Sequence, residues 1–289
     1  MFSFELEFLK FLEGIRTDFL DVLFQGITIL GEETLMVLLV VALWFAFDKR
    51  EAQKVLFITA GSLCLNGVIK NLVKMPRPFT RGISCVRVET ATGYSFPSGH
   101  TQGFATWSIL FAIKSKKIWL RALIGVLIVL VGLSRMYLGV HYPSDVVAAI
   151  VLGVGISIAG NALFNKIQDT RKIYLAAVIV FSPFFVYFLF KPELKFADFY
   201  KTFGMIAGLT LISFLDNKAE PLSYDVSWWK KLLRIIIGIV IAFALKEGIK
   251  ALNVFDMLQI ALVFDAIRYF IVVFAVGFLC PIIFKKIKL

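Results

Sequence analysis

The chain has 289 residues, an apolar fraction of 59%, a charged fraction of 18% and a mean hydropathy of +0.85. A soluble domain is about half apolar and about a quarter charged, so this composition excludes an ordinary soluble protein. The net charge of +11 does not indicate a nucleic-acid binder, because Lys and Arg stand in short clusters between apolar blocks and not along one polar face.

In chain order, residues 4–24 alternate Phe4, Phe8, Phe11, Leu12 and Phe19 with acids and Lys10, the pattern of an amphipathic helix lying at a membrane interface. Glu5, Glu7 and Glu13 replace the basic start that a cleaved signal would need. Apolar blocks then follow near 26–47, 52–74, 100–114, 119–140, 144–165, 172–190, 199–215, 231–251 and 257–284. Since about 20 apolar residues span a bilayer, these blocks predict nine spans, the first interrupted by Glu32 and Glu33. The expected fold is an all-α polytopic membrane helix bundle. Its expected parts are an interfacial helix over 1–25, a core of about five spans over 26–165 and an extension of about four over 166–289. No internal repeat or long linker separates them.

Lys and Arg give the orientation. More than half of the 31 lie in alternate connections: 49–54, 114–121, 166–172, 218–234 and the last five residues. Positive residues mark the cytoplasmic side, so the C-terminus is expected there and the N-terminus outside. Loop 75–99 and the turn at 141–143 then share the extracytoplasmic face. Cys64 and Cys280 lie in apolar blocks and Cys85 in a polar loop, with no metal or disulfide spacing.

Three polar stretches meet on that face. The first runs from Lys70 to Arg77-Pro78, the second is Pro97-Ser98-Gly99-His100, and the third is Ser134-Arg135 followed by His141 and Asp145. His100 and His141 are the chain's two histidines. An arginine at a membrane edge is costly and marks function by default. A phosphate monoester needs several fixed donors there, and Lys70, Arg77 and Arg135 supply positive charge. The seven-residue spacing of Lys70 and Arg77 is close to two helical turns and would point both to one side. Ser98 is a candidate helix cap, and the N–H groups of Gly99 and His100 open a span where an anion is favoured. Lys74 fits ordinary interfacial snorkelling.

Together the stretches resemble the signature of the type 2 phosphatidic acid phosphatase superfamily: Lys-x6-Arg-Pro, Pro-Ser-Gly-His and Ser-Arg-x5-His-x3-Asp. All three parts match without departure, over roughly residues 26–160. The resemblance implies phosphate removal from a lipid-linked substrate through a phosphohistidine. His141 would be the nucleophile, Asp145 would hold its other ring nitrogen, and His100 would act as general acid and then base. Lys70, Arg77, Ser98, Gly99 and Arg135 would bind the phosphate. No cofactor and no metal are expected, since Glu32, Glu33 and Glu89 have no ligand spacing with either histidine. The expected partners are the lipid phosphate within the bilayer and membrane lipids, without nucleic acid.

Two other readings stay open on sequence alone: a phosphatase of a soluble sugar phosphate, which shares a nine-span plan, and a non-hydrolytic lipid transporter. The short loops suggest a bacterial cytoplasmic membrane, with an endoplasmic reticulum membrane as the alternative. Asp265 and Arg268 read as an intramembrane structural pair, and Trp228-Trp229 as an interfacial belt.

Overall fold

The computed structural model describes residues 3–87, 91, 93–216, 222–252 and 255–289; Glu89 and Lys218 lie outside these. Every regular element among them is helical. The helices are α1 (Ser3–Gly14), α2 (Asp18–Thr28), α3 (Glu33–Ala42), α4 (Lys49–Val73), α5 (Gly99–Lys114) and α6 (Ile118–Tyr137). They continue with α7 (Pro143–Lys166), α8 (Thr170–Phe190), α9 (Ala197–Leu215), α10 (Trp228–Ala251), α11 (Leu258–Phe274) and α12 (Cys280–Lys286).

Among the described residues, five stretches are long and apolar enough to cross a bilayer: α4 with the turn after it, α6, α7, α8, and α11 running on through α12. Residues Asp18–Gly31 and Glu33–Phe47 would add a sixth, but as a pair bent by 47°. The bend falls at Gly31-Glu32-Glu33, where the sequence interrupts the first expected span. Nine full spans are not reached by this measure. The reasons are local: α5 has 16 residues, α9 carries Asp198 and Lys201 in its first turns, and α10 is charged at both ends. The 4–24 stretch is also not one helix. It breaks after Gly14, and Thr17 caps α2 by accepting from Leu20 N.

The chain divides into two compact units. The first comprises 1–35 and 65–161, the second 36–64 and 162–289. In the first, α5 and α6 pack through Phe104, Ala105, Ala112, Ile124, Ile128 and Val131. Val126 and Val129 on α6, and Val147 and Val151 on α7, are exposed, as helix faces turned toward lipid should be. Close approach of α5 and α7 depends on Gly153, where a Cβ would sit 2.8 Å from Ala105 Cβ and 2.9 Å from Gln102 O. Polar side chains collect at one end of this unit, where α4 ends and α5 and α7 begin.

In the second unit α9 lies against α11 at small residues. Gly204 meets the backbone of Ala266, and a Cβ on Gly208 would lie 3.1 Å from Phe270 O. Aromatic rings fill the α8–α9 contact, with Phe185 4.7 Å from Tyr200 and Phe188 5.2 Å from Phe199. Asp265 and Arg268 form an ion pair at 2.8 Å within α11. Trp228 and Trp229 are exposed at the start of α10, beside Lys230.

Overpacking a core contact costs about 1–3 kcal/mol. Gly153→Val should therefore lower the melting temperature in detergent by several degrees. Gly155→Val, at a position with nothing within 4 Å of an added Cβ, should leave it unchanged. Equal melting temperatures would contradict this packing.

Candidate active site

The site is assembled by four segments of the first unit. Helix α4 brings Lys70 in its last turn and ends at Val73, three residues before Pro76. Proline there bars a further turn, so Arg77 stands in extended backbone (φ −78°, ψ 156°) and not two helical turns above Lys70. The two cations still converge. Lys70 Nζ donates to Tyr94 O at 2.7 Å, and Arg77 Nε donates to the neighbouring Gly93 O at 3.1 Å.

Helix α5 starts at Gly99, so its first N–H groups belong to Gly99 and His100. Ser98 occupies the cap position, but its hydroxyl makes no cap bond and pairs with Thr101 Oγ1 at 3.0 Å. Its backbone N–H donates to Asp145 O at 3.2 Å. Asn66 ties the same turn down, donating to Pro97 O at 3.2 Å and to Gln102 Oε1 at 2.8 Å. His100 is half-buried, and its backbone packs on Gly31, where an added Cβ would come within 2.9 Å.

Helix α6 contributes Arg135, fully buried, whose Nη1 donates to Thr28 Oγ1 at 2.8 Å. The chain then reverses through Gly139, which sits at φ +76°, a conformation that suits glycine. His141 follows in this loop, and α7 begins at Pro143 with Asp145 in its first turn.

Both His141 and Asp145 are buried. His141 Nδ1 lies 3.1 Å from Asp145 Oδ2. The same oxygen accepts Tyr142 N at 2.8 Å and the Ser95 hydroxyl. Held as the Nδ1–H donor, the ring presents Nε2 as an acceptor, which meets Arg77 Nη1 at 3.2 Å. Arg77 Nη1 also donates to Val140 O at 2.9 Å. Burial first, then the charges of Arg77, Lys70, Arg135 and His100, push the His141 pKa well below its ordinary value of 6.5. A neutral imidazole, the nucleophilic form, is the result.

Lys70, Arg77, Arg135, His100, His141 and Asp145 thus come to one place, with Ser98 and Gly99 in the adjoining turn. Among the described residues no three of His, Cys, Asp and Glu gather as metal ligands. Sequence reasoning missed Ser95 and Asn66. Each is a single polar residue in the stretches between the recognised motifs, with nothing in its spacing to mark it.

Known proteins resemble this chain in sequence and in fold. Residues 51–169 match a family model described as the PAP2 superfamily, and residues 200–289 match one described as PAP2 superfamily phosphatase, transmembrane extension. An undecaprenyl-diphosphatase of Bacillus subtilis is 30% identical over 146 residues, 49% of this chain and 72% of that protein. A decaprenylphosphoryl-5-phosphoribose phosphatase of Mycobacterium tuberculosis is 31% identical over 151 residues, covering 51% of this chain and 82% of that one. Among solved structures, a transmembrane PAP2-type phosphatidylglycerolphosphate phosphatase from Bacillus subtilis superposes with a TM-score of 0.51 at 26% identity. It covers 57% of this chain and 87% of its own.

Because the imidazole is kept neutral, the acid limb of kcat/KM for the free protein should fall below pH 6.5, the ordinary histidine value. A limb centred at or above that value would contradict the buried, cation-ringed setting. Ser95→Ala removes one of the bonds that aim Asp145, and the loss of one such bond corresponds to about a tenfold lower kcat. Steady-state kinetics beside Ser98→Ala would check it, and an unchanged kcat in Ser95→Ala would count against the alignment.

Proposed function

The chain belongs to the PAP2 superfamily, and on that premise we propose that it is an integral membrane phosphatase acting on a phosphorylated or diphosphorylated lipid through a phosphohistidine. The observation that carries the reading is His141. It is a buried imidazole aimed by Asp145 at one nitrogen, with its other nitrogen among three cations.

The chemistry follows from those positions. A phosphate entering beside Nε2 takes the Arg77 donor that now meets the ring, while Lys70, Arg135 and the first N–H groups of α5 spread the rest of its charge. His141 Nε2 attacks phosphorus, the bond to the leaving oxygen breaks, and His100 gives that oxygen its proton. A water molecule then attacks the phosphoryl group as His100 takes its proton. The phosphorus–nitrogen bond breaks, releasing inorganic phosphate and the neutral imidazole. Asp145 stabilises the positive charge that the ring carries between the two steps. The three cations supply the neutralisation that a metal ion would otherwise give, and the proposed reaction is metal-independent.

The Lys and Arg distribution supports a site on the extracytoplasmic face, a cytoplasmic C-terminus and a bacterial cytoplasmic membrane. A site at the membrane edge suits a substrate whose tail stays in the lipid. The relatives discussed above are named for substrates as different as a polyprenyl diphosphate and a polyprenyl-linked phosphoribose, and they support the lipid class without selecting one member. The soluble-phosphate reading rested on nine spans, a count that the five or six candidates among the described residues leave unconfirmed.

The test is phosphate release by the purified chain with excess chelator, from polyprenyl diphosphate, phosphatidic acid, phosphatidylglycerophosphate and glucose 6-phosphate. Chelator-resistant release from at least one lipid is expected. His141→Ala should abolish it, and Arg77→Ala should reduce it by at least about a hundredfold. Release from glucose 6-phosphate alone, or full activity in His141→Ala, would overturn the proposal.

A further inference from the structure

The residues before α3 hold both ends of the loop that carries His141. On one side, Arg16 donates twice to Tyr137 O, the last carbonyl of α6, through Nε at 3.1 Å and Nη2 at 2.6 Å. Its Nη1 simultaneously reaches Ser84 O at 3.0 Å and Ser84 Oγ at 2.6 Å. Asp21 accepts the Tyr137 hydroxyl at 2.7 Å, and Phe24 stacks on the Tyr137 ring at 4.2 Å. On the other side, Glu5 Oε1 accepts the N–H of Ser144 at 2.9 Å, in the first turn of α7. Leu9 and Leu12 of α1 pack in the same cluster as Tyr142 and Ile83.

Glu5 has its own oddity. It belongs to the stretch whose acids suggest a solvated interfacial face, yet it is 1% exposed. Burying a carboxylate is costly unless it is hydrogen-bonded or paired. What it meets is an unpaired helix N–H beside Asp145, at the terminus where negative charge is favoured.

We propose that Glu5 and Arg16 are positioning residues for the reaction. They fix the α7 and α6 ends of the 138–142 loop and so set His141 Nε2 against the phosphate. This assignment rests on the function proposed above. The two anchors act at Ser144 and Tyr137, three residues after His141 and four before it, and neither touches the phosphate cations. Losing either should let the imidazole drift while the Lys70 and Arg77 contacts remain, lowering kcat with little change in KM. Misplacement by about 1 Å far from the chemistry can cost about a hundredfold.

The experiment uses the full chain in detergent with polyprenyl diphosphate as the probe substrate. Glu5→Ala and Arg16→Ala should each lower kcat about tenfold or more, with KM within about twofold. Glu5→Gln, which keeps an oxygen for Ser144 N, should recover most of the rate. Arg16→Lys, which cannot fork between two carbonyls, should not. The readout independent of activity is the ring spectrum of [15N]histidine-labelled protein, which holds two imidazoles that His141→Ala distinguishes. Both alanine variants should shift or broaden the His141 signals and leave those of His100 in place. A protein that hydrolyses none of the probes would defeat the functional reading, while the spectra would still decide the positioning. Unmoved His141 signals, or a melting temperature that falls while kcat per folded molecule is unchanged, would overturn the proposal.

Discussion

One carboxylate oxygen sets the geometry of the site. Asp145 Oδ2 receives the Ser95 hydroxyl, the Tyr142 N–H and His141 Nδ1. It therefore fastens the loop before α5, the loop before α7 and the His141 ring to one point. Each bond has a consequence for the others. The ring bond fixes the tautomer, the Tyr142 bond fixes where α7 begins, and the Ser95 bond fixes the chain that supplies Gly93 and Tyr94. Those two carbonyls hold Arg77 and Lys70. The aim of the imidazole, and the chain whose carbonyls hold two of the three cations, are consequently tied to a single buried acid.

Such a site is expensive to build. Lys70, Arg77 and Arg135 are all buried, near a histidine with which their charges interact unfavourably. The fold offsets this by giving each cation an oxygen: Tyr94 O, Gly93 O and Val140 O, and Thr28 Oγ1. These are carbonyls and a hydroxyl, and the carboxylates of Asp145, beside Lys70 and Arg77, and of Glu32, toward Arg135, add to them. On the proposed function, a phosphate would take over donors that now meet these oxygens and the His141 ring. The second unit has a different physical character, with close glycine contacts between α9 and α11 and an aromatic α8–α9 seam.

Much of the site was legible because its chemistry demands rare residues at fixed intervals. Two histidines in 289 residues, each in a polar stretch of an apolar chain, stand out, as does Arg135 within a span. What held those residues in place was not legible. Ser95, Asn66, Thr28, Glu5 and Arg16 act through partners tens of residues away or more, and nothing local distinguishes them from solvated polar residues. The helical spacing argument for Lys70 and Arg77 failed on Pro76, which ends α4 early, although the carbonyls of 93 and 94 restore the convergence. Ser98 sits at the helix cap by position, but its hydroxyl turns to Thr101. Apolar periodicity located nearly every helix, yet it could not separate a full span from the 16-residue α5 or foresee the 47° bend at Gly31.

The central claim is that phosphorus passes through a covalent bond to His141. Rapid mixing with a substrate labelled at the reacting phosphate, followed by an alkaline quench, preserves a phosphohistidine that acid would destroy. The account predicts alkali-stable, acid-labile label on the peptide carrying His141. The label, once formed, should decay more slowly in His100→Ala, where hydrolysis of the intermediate is slowed, and should be absent in His141→Ala. Turnover by the intact protein with no label on that peptide at any quench time, in either the intact protein or His100→Ala, would contradict it. Such a result would assign the attack on phosphorus to water.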